Sequence, residues 1–300
     1  MAGIDINRTT LGVTLDPVVS NEIWGLTVEQ SAVMQAARKV PISGAGLKFD
    51  MLTGVGDAGW VNETDEKPVG EATFDNREIH AHTLALILPF SNQFRRDKAA
   101  LYREIVRVLP LELGRKFDST VFGAITKPGA DFDQLNDAQL VSVDPASPFA
   151  GLLAARAAVG RPSHMISSPE FENVLLGGTY ADGRPLFVQD MAQDLTIGRV
   201  MGAPVLATSG DMPGSATEGD TQAIIGDFAQ NAMWGSVEGI QYSEADQATL
   251  TIAGQQVNLW QRNMFALRVE VELAFAVRNK AKFARLTNGV VDADTVTKGK

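Results

Sequence analysis

Apolar and polar positions alternate strictly along two stretches of the chain. From Thr73 to Leu88, Ile79, Ala81, Thr83, Ala85 and Ile87 fall on one face and His80, His82, Leu84, Leu86 and Leu88 on the other, the period of a β-strand. At ~3.4 Å per residue such a strand approaches ~50 Å, where ~17 to 20 Å is typical, so it overhangs its own domain. Pro89 is expected to end it. Near the C-terminus, "MFALRVEVELAFAVRN" places Phe265, Leu267, Val269, Val271, Leu273, Phe275 and Val277 on one face and Arg268, Glu270, Glu272 and Arg278 on the other.

Between them, "SNQFRRDKAALYREIVRVLPLELGRKFDSTVFGAI" spaces Leu101, Ile105, Leu109, Leu113, Phe117 and Val121 by four. A row of fours drifts by ~40° per step, which predicts a long helix buried on more than one side. Pro110 within it removes one backbone hydrogen bond and predicts a kink rather than a break. Toward the N-terminus, Asp16 and Pro17 form an N-cap and N1 pair, and "TVEQSAVMQAARK" reads as a short amphipathic helix with a capping box of Thr27 and Gln30. The first fifteen residues lack periodicity and read as an extended arm that a neighbour must order.

From Lys127 to about Gly235 the elements shorten: a helix in "SPFAGLLAARAAVG", an apolar "HMISS", a helix from Pro169 to Leu176 and a turn at "ADGRPLF". The run "ATSGDMPGSATEGDTQ" reads as a mobile surface loop. The whole is an α+β chain, with a long helix laid on long strands from both ends and a second domain inserted between them.

Composition narrows the chemistry. The 300 residues are 45% hydrophobic and 21% charged, ordinary globular material with room for two cores. A net charge of -10 argues against a surface that grips nucleic acid phosphates. The absence of cysteine excludes disulfides, thiolate metal sites and a cysteine nucleophile. No basic, apolar leader opens the chain, and apolar runs such as "LALILPF" fall short of the ~20 residues of a membrane helix, so no membrane partner is expected.

Candidate motifs carry bland readings beside sharp ones. "GVGDAG", Gly54 to Gly59, fits the glycine pattern of dinucleotide sites, but "WVNETDEKPVG" opens no helix after it; a glycine-rich bulge or turn is the better reading, and no cofactor is expected. His80 and His82 share a strand face, but only His164 remains elsewhere, too few for zinc; no metal is expected. No hydrolase elbow, zincin motif or phosphate loop occurs, so turnover catalysis has no visible machinery. Glu270 and Glu272 beside Arg268 read as a solvated or cross-strand paired face, and "ETDEK", Glu63 to Lys67, as a solvated hairpin tip.

The order of arm, long hairpin, long helix, inserted domain and returning strand resembles the major capsid proteins of tailed bacteriophages, the HK97-like fold. The resemblance rests on "WVNETDEKPVGEATFDNREIHAHTLALILPFSNQFRRD", "REIVRVLPLELGRKFDSTVFG" and "LWQRNMFALRVEVELAFAV". It implies an N-terminal arm with short helices over 1–46, an extended-loop β-hairpin over 47–88, a peripheral-domain spine helix over 89–127, an axial domain over 128–237, peripheral return strands over 238–290 and a tail over 291–300. It further implies a structural protein that assembles with itself as homo-hexamers and homo-pentamers into an icosahedral virion capsid in the host cytoplasm. A portal protein and packaged double-stranded DNA, held without sequence-specific contacts, are the other implied partners.

Some members of that family carry a long N-terminal scaffold segment; here Met1 begins close to the arm, which implies a separate scaffolding protein and puts proteolytic maturation in doubt. The hairpin tip, with Trp60, Glu63, Asp65, Glu66, Lys67 and Pro68, is implied as an inter-subunit contact. Some members also join a hairpin lysine to an asparagine by an isopeptide bond. In this sequence Lys67 before Pro68 and Asn263 seven before Glu270 match that pattern, with Glu270 as the base that takes the lysine's proton. The bland reading leaves Lys67 solvated, Asn263 at a strand start and Glu270 in a charged face. An encapsulin-type nanocompartment shell resembles the same fold and is the alternative; a dinucleotide-dependent enzyme is a third reading that rests on "GVGDAG" alone.

Overall fold

The computed structural model describes residues 17–44, 46–54, 59–61, 66–67, 69, 73–93, 98–145, 147–178, 198–215, 219–252 and 254–288. The expected arm and the turn at "ADGRPLF" lie outside them.

A five-stranded sheet forms around β15 (Met264–Val277). On one side it pairs antiparallel with β4 (His82–Ser91), from Met264 opposite Ser91 to Leu273 opposite His82. On the other lie β12 (Gln241–Ala245) and, end to end with it, β11 (Ala232–Ser236), which carries the short β1 (Arg38–Lys39) as a parallel neighbour. The expected length of β15 is borne out, and its inward residues Leu267, Val269, Val271, Leu273, Phe275 and Val277 are buried.

That face meets α3 (Lys98–Phe122), which runs unbroken through Pro110 and buries Ile105, Leu109, Leu113, Phe117 and Val121 in one cluster with Leu84, Leu86 and Leu88 of β4. Phe117, Phe132 and Phe275 close it, with ring centroids 6.1 to 6.3 Å apart. Outward, β15 differs along its length. Ala274 and Ala276 are covered by Ile42 and Ile79, whereas Arg268 and Glu272, with Ala85 and Ile87 beside them on β4, stay exposed.

The second sheet runs β5 (Gln139–Ser142), β16 (Phe283–Thr287), β10 (Gly219–Gly226), β6 (His164–Ser167), β8 (Ala203–Ala207), β7 (Arg199–Val200), with β9 (Gly214–Ser215) on β10. It packs α4 (Pro148–Val159) and α5 (Pro169–Gly177), each opened by proline behind a serine N-cap, over a core that includes Leu152, Met165, Phe171, Ile225 and Leu286. The short α6 (Phe228–Asn231) leads from β10 into β11. Two small ladders stand apart: β2 (Leu47–Gly54) with β3 (Thr73–Ile79), and β13 (Thr249–Ile252) with β14 (Gln255–Asn258). No helix among the described residues is long and apolar enough to cross a membrane.

Several expectations are corrected. The long strand from Thr73 is two strands: β3 pairs with β2, β4 with β15, and the ladder breaks at His80 and Ala81. Pro89 does not end β4, which continues to Ser91, because β4 is an edge strand and proline's missing donor costs nothing on a side without a partner strand. Thr27 opens no helix; it lies inside α1 (Pro17–Gln30), its hydroxyl donating to the Ile23 carbonyl, and Ser31 caps the following α2 (Ala32–Ala36). Of the expected surface loop over 207–222, the described part is tied down: Thr208, Gly210 and Asp211 bond to or around α3, and β9 and β10 pair across its end. Strand membership also crosses the expected boundaries. β11, within 128–237, belongs to the first sheet, and β16, within 238–290, belongs to the second, where Ala284 and Leu286 find their core.

Candidate assembly interface

The β2–β3 hairpin is the first element of the candidate site. Among the described residues its strands pair only with each other, from Leu47 opposite Ile79 to Gly54 opposite Thr73, and an isolated two-stranded ladder is marginal in water. The register shifts between Leu52 and Gly54, and residues 55–58 of the "GVGDAG" stretch lie outside the described residues. Beyond it, Trp60 and Val69 are almost wholly exposed, at 105% and 94%, and Val61, Glu66 and Lys67 are exposed as well. Glu63, Asp65 and Pro68 lie outside the described residues. Exposed large apolar side chains of this kind are the usual raw material of a contact surface.

A charged clamp fixes the hairpin's root. Asp133 Oδ2 accepts from Arg77 Nη1 at 2.8 Å and from the Val277 N–H at 2.9 Å, and Arg77 also donates to the Val277 carbonyl at 2.8 Å. Asp131 accepts from the His80 N–H at 2.9 Å, and its other oxygen lies 3.0 Å from His82 Nε2. Burial alone would push the Asp131 carboxyl up, but the hydrogen bonds from the His80 N–H and His82 outweigh it and hold it below the ordinary carboxylate range. Gly129 packs so close to the His82 ring that a Cβ would collide with it. His80 and His82 therefore do not share a face for a metal: the His80 side chain turns to Glu78, and His82 serves the clamp. Neither aspartate stood out in the sequence, although the Asp-Phe-Asp spacing around the core residue Phe132 carries the signal.

Asn263 immediately precedes β15, and Glu270 lies half-buried on its outward side, between the exposed Arg268 and Glu272. Asn263 closes a turn after β14 with φ of 54°, a left-handed conformation that asparagine tolerates better than most residues. Its side-chain oxygen accepts from Asn92 Nδ2 at 2.8 Å, and its carbonyl accepts from the Asn92 N–H at 3.0 Å. Glu270 lies 3.4 Å from Arg268 Nε, beside a polar recess of about 150 Å³ lined by Thr83, Glu238, Gln241 and Glu272. Arg268 also donates to Ser243 across the ladder, so this face is cross-strand paired. The structure does not bring Asn263 and Glu270 together: the strand from Met264 to Glu270 spans about 20 Å.

Asp118, which the sequence did not flag, joins three parts of the chain behind this face. Fully buried on α3, its carboxylate accepts from Ser31 Oγ, the N–H groups of Ala32 and Val33 at 2.9 and 3.4 Å, and Thr208 Oγ1 at 3.0 Å. It thus caps α2 and holds the turn after β8. Burial pushes its pKa up to about 6, although every one of those donors opposes the shift.

Comparison with known proteins completes the picture. Residues 11–288 match the Phage capsid family. The chain is 28% identical to the probable major capsid protein gp17 of Mycobacterium phage L5, over 93% of this chain and 90% of that protein. It is 27% identical to the corresponding protein of Mycobacterium phage D29, over 92% and 90%. Among solved structures, a chain from Mycobacterium phage Adephagia superposes with a TM-score of 0.69 at 23% identity, covering 87% of this chain and 91% of that one. The capsid of a native GTA particle gives 0.62 at 16% identity, over 97% and 96%. Fold and sequence agree, and the chain belongs to the phage capsid family.

Proposed function

We infer that this chain is the major capsid protein of a tailed bacteriophage, of the mycobacteriophage type, and that its HK97-like subunits close as pentamers and hexamers into an icosahedral shell around double-stranded DNA. The observation that carries the reading is the β2–β3 hairpin, clamped at its root and paired only with itself, with Trp60 and Val69 bare near its tip. In this reading the hairpin is the extended loop, α3 the spine of the peripheral domain and the second sheet the axial domain. Its partners are further copies of itself, a separate scaffolding protein, a portal protein and DNA, which an acidic wall contains without gripping. The matched family and the named relatives favour a virion shell over an encapsulin-type compartment. Purified particles are the test: nuclease-protected duplex DNA supports the reading, and a packed enzyme cargo contradicts it.

The same proposal includes covalent closure of the shell, with Lys67 joined to Asn263 by an isopeptide bond. Because Asn263 and Glu270 of one chain lie about 20 Å apart along β15, the Glu270 that takes the proton at a given Asn263 belongs to another copy. The chemistry is a single turnover, and the protein remains a structural one.

A further inference from the structure

Asn92 has an arrangement that packing does not require. It follows the last residue of β4, and both its backbone N–H and its side-chain Nδ2 donate to Asn263, the first to the carbonyl and the second to Oδ1 at 2.8 Å. Its own Oδ1 is buried with no hydrogen-bond partner. A buried acceptor left unpaired is a standing liability, and a residue kept only for packing would shed it. Asn263 shows the complementary oddity. Its φ of 54° is one that glycine adopts without strain, yet a side chain is retained there, exposed, with its oxygen aimed at Asn92. Among the described residues, Asn263 Nδ2 has no partner.

We propose that Asn92 is the hydrogen-bond donor that polarises the Asn263 side-chain amide for attack by an amine from another copy of the chain. The inference rests on the crosslink reading above. The neutral Nζ of Lys67 in one copy adds to Cγ of Asn263 in another, and the electron pair of the C=O bond moves onto Oδ1. Collapse of that intermediate breaks the Cγ–Nδ2 bond, and one proton passes from Nζ to Nδ2 by way of a carboxylate. The products are a secondary amide and ammonia, and nothing is oxidised or reduced. Negative charge gathers on Oδ1, the atom to which Asn92 already donates at a distance suited to an oxyanion. The donor needs no rearrangement at the moment of reaction, because the ladder bond from the Asn92 N–H to the Asn263 carbonyl and the left-handed turn fix both residues beforehand.

The test uses full-length chain assembled with its scaffold and matured, then boiled in detergent with reductant at timed intervals. Wild-type shells are expected to give a ladder of covalent oligomers that vanishes in Lys67→Ala. In Asn92→Asp, which keeps the shape and loses the donor, shells of normal size are expected to crosslink about 100-fold more slowly at pH 8. The ratio of its rate to wild type then rises toward pH 5, as the protonated carboxyl regains an O–H donor, a recovery that a purely structural role would not produce. Asn92→Ala, which keeps the backbone bond and has no donor, is expected to be equally slow with no such recovery. Wild-type rates in shells of either variant overturn the proposal while leaving the crosslink intact. Failure of both variants to assemble assigns Asn92 to the fold alone and overturns it too. A single monomer band from mature wild-type shells removes the crosslink itself and this inference with it.

Discussion

Thr208 donates its hydroxyl to Asp118 at 3.0 Å across ninety residues of sequence, and this bond ties the second sheet to the helix beneath the first. The same carboxylate caps α2, so one buried charge sets where three segments meet. Replacing it by asparagine turns an amide N–H2 toward a donor that previously found an oxygen. Asp118→Asn is expected to lose about 1 to 3 kcal/mol at pH 7, read by urea denaturation of the unassembled chain. Asp118→Ala, which strips every partner at once, is expected to lose more.

The pH dependence of that site has a defined sign. The folded carboxyl sits at about 6, above its ordinary value of 3.8, so the folded chain holds the extra proton between those limits. Its contribution to stability is complete below pH 4 and is lost as pH rises through 6. The stability of wild type minus that of Asp118→Asn is therefore expected to grow as pH falls from 7 to 4, by at most about 3 kcal/mol. A difference that is flat with pH, or that shrinks toward acid, contradicts a raised Asp118.

At the hairpin root, Asp133→Ala removes the acceptor shared by Arg77 and the Val277 N–H. Amide exchange is expected to quicken in β2 and β3 while the α3 and β15 amides keep their protection, because among the described residues β2 and β3 share no ladder with another strand and only Ile79 of them is buried against β15. Uniform loss of protection throughout the chain would show that the clamp supports the whole fold instead.

Trp60, Glu66, Lys67 and Val69 are exposed, and Trp60→Ala and deletion of 65–71 test what this stretch contacts. The melting midpoint of the monomer is expected to move by no more than the ~0.5 kcal/mol of an ordinary surface change, while the yield of closed shells falls sharply, as sedimentation of assembly reactions would show. Loss of soluble monomer would mean that the tip packs on its own subunit.

The long elements were legible because one rule governs each from end to end. Seven alternating apolar residues wrote β15, and a row spaced by four wrote α3. The break at His80 was not legible, since alternation continues through it without a fault; what stops the ladder is Asp131, distant in sequence, accepting the His80 N–H. The start of α2 was misplaced for a similar reason. Thr27 and Ser31 are both good caps by residue type, and Asp118 decides between them by binding Ser31. The strand β16, "FARLT", was not singled out in the sequence, and no local pattern says which sheet such a short stretch joins. At the candidate site, Lys67 and Asn263 emerged from the resemblance alone, and Asn92 required the register of β4 on β15 to place it beside Asn263.

The central claim is that the β2–β3 hairpin is built for another subunit, and electron microscopy of the full chain expressed with its cognate scaffold tests it most directly. Closed icosahedral shells of pentamers and hexamers, with hairpin density lying across a neighbouring subunit and Trp60 buried against it, are the predicted result. A monomer whose hairpin is ordered against its own sheet would contradict the account.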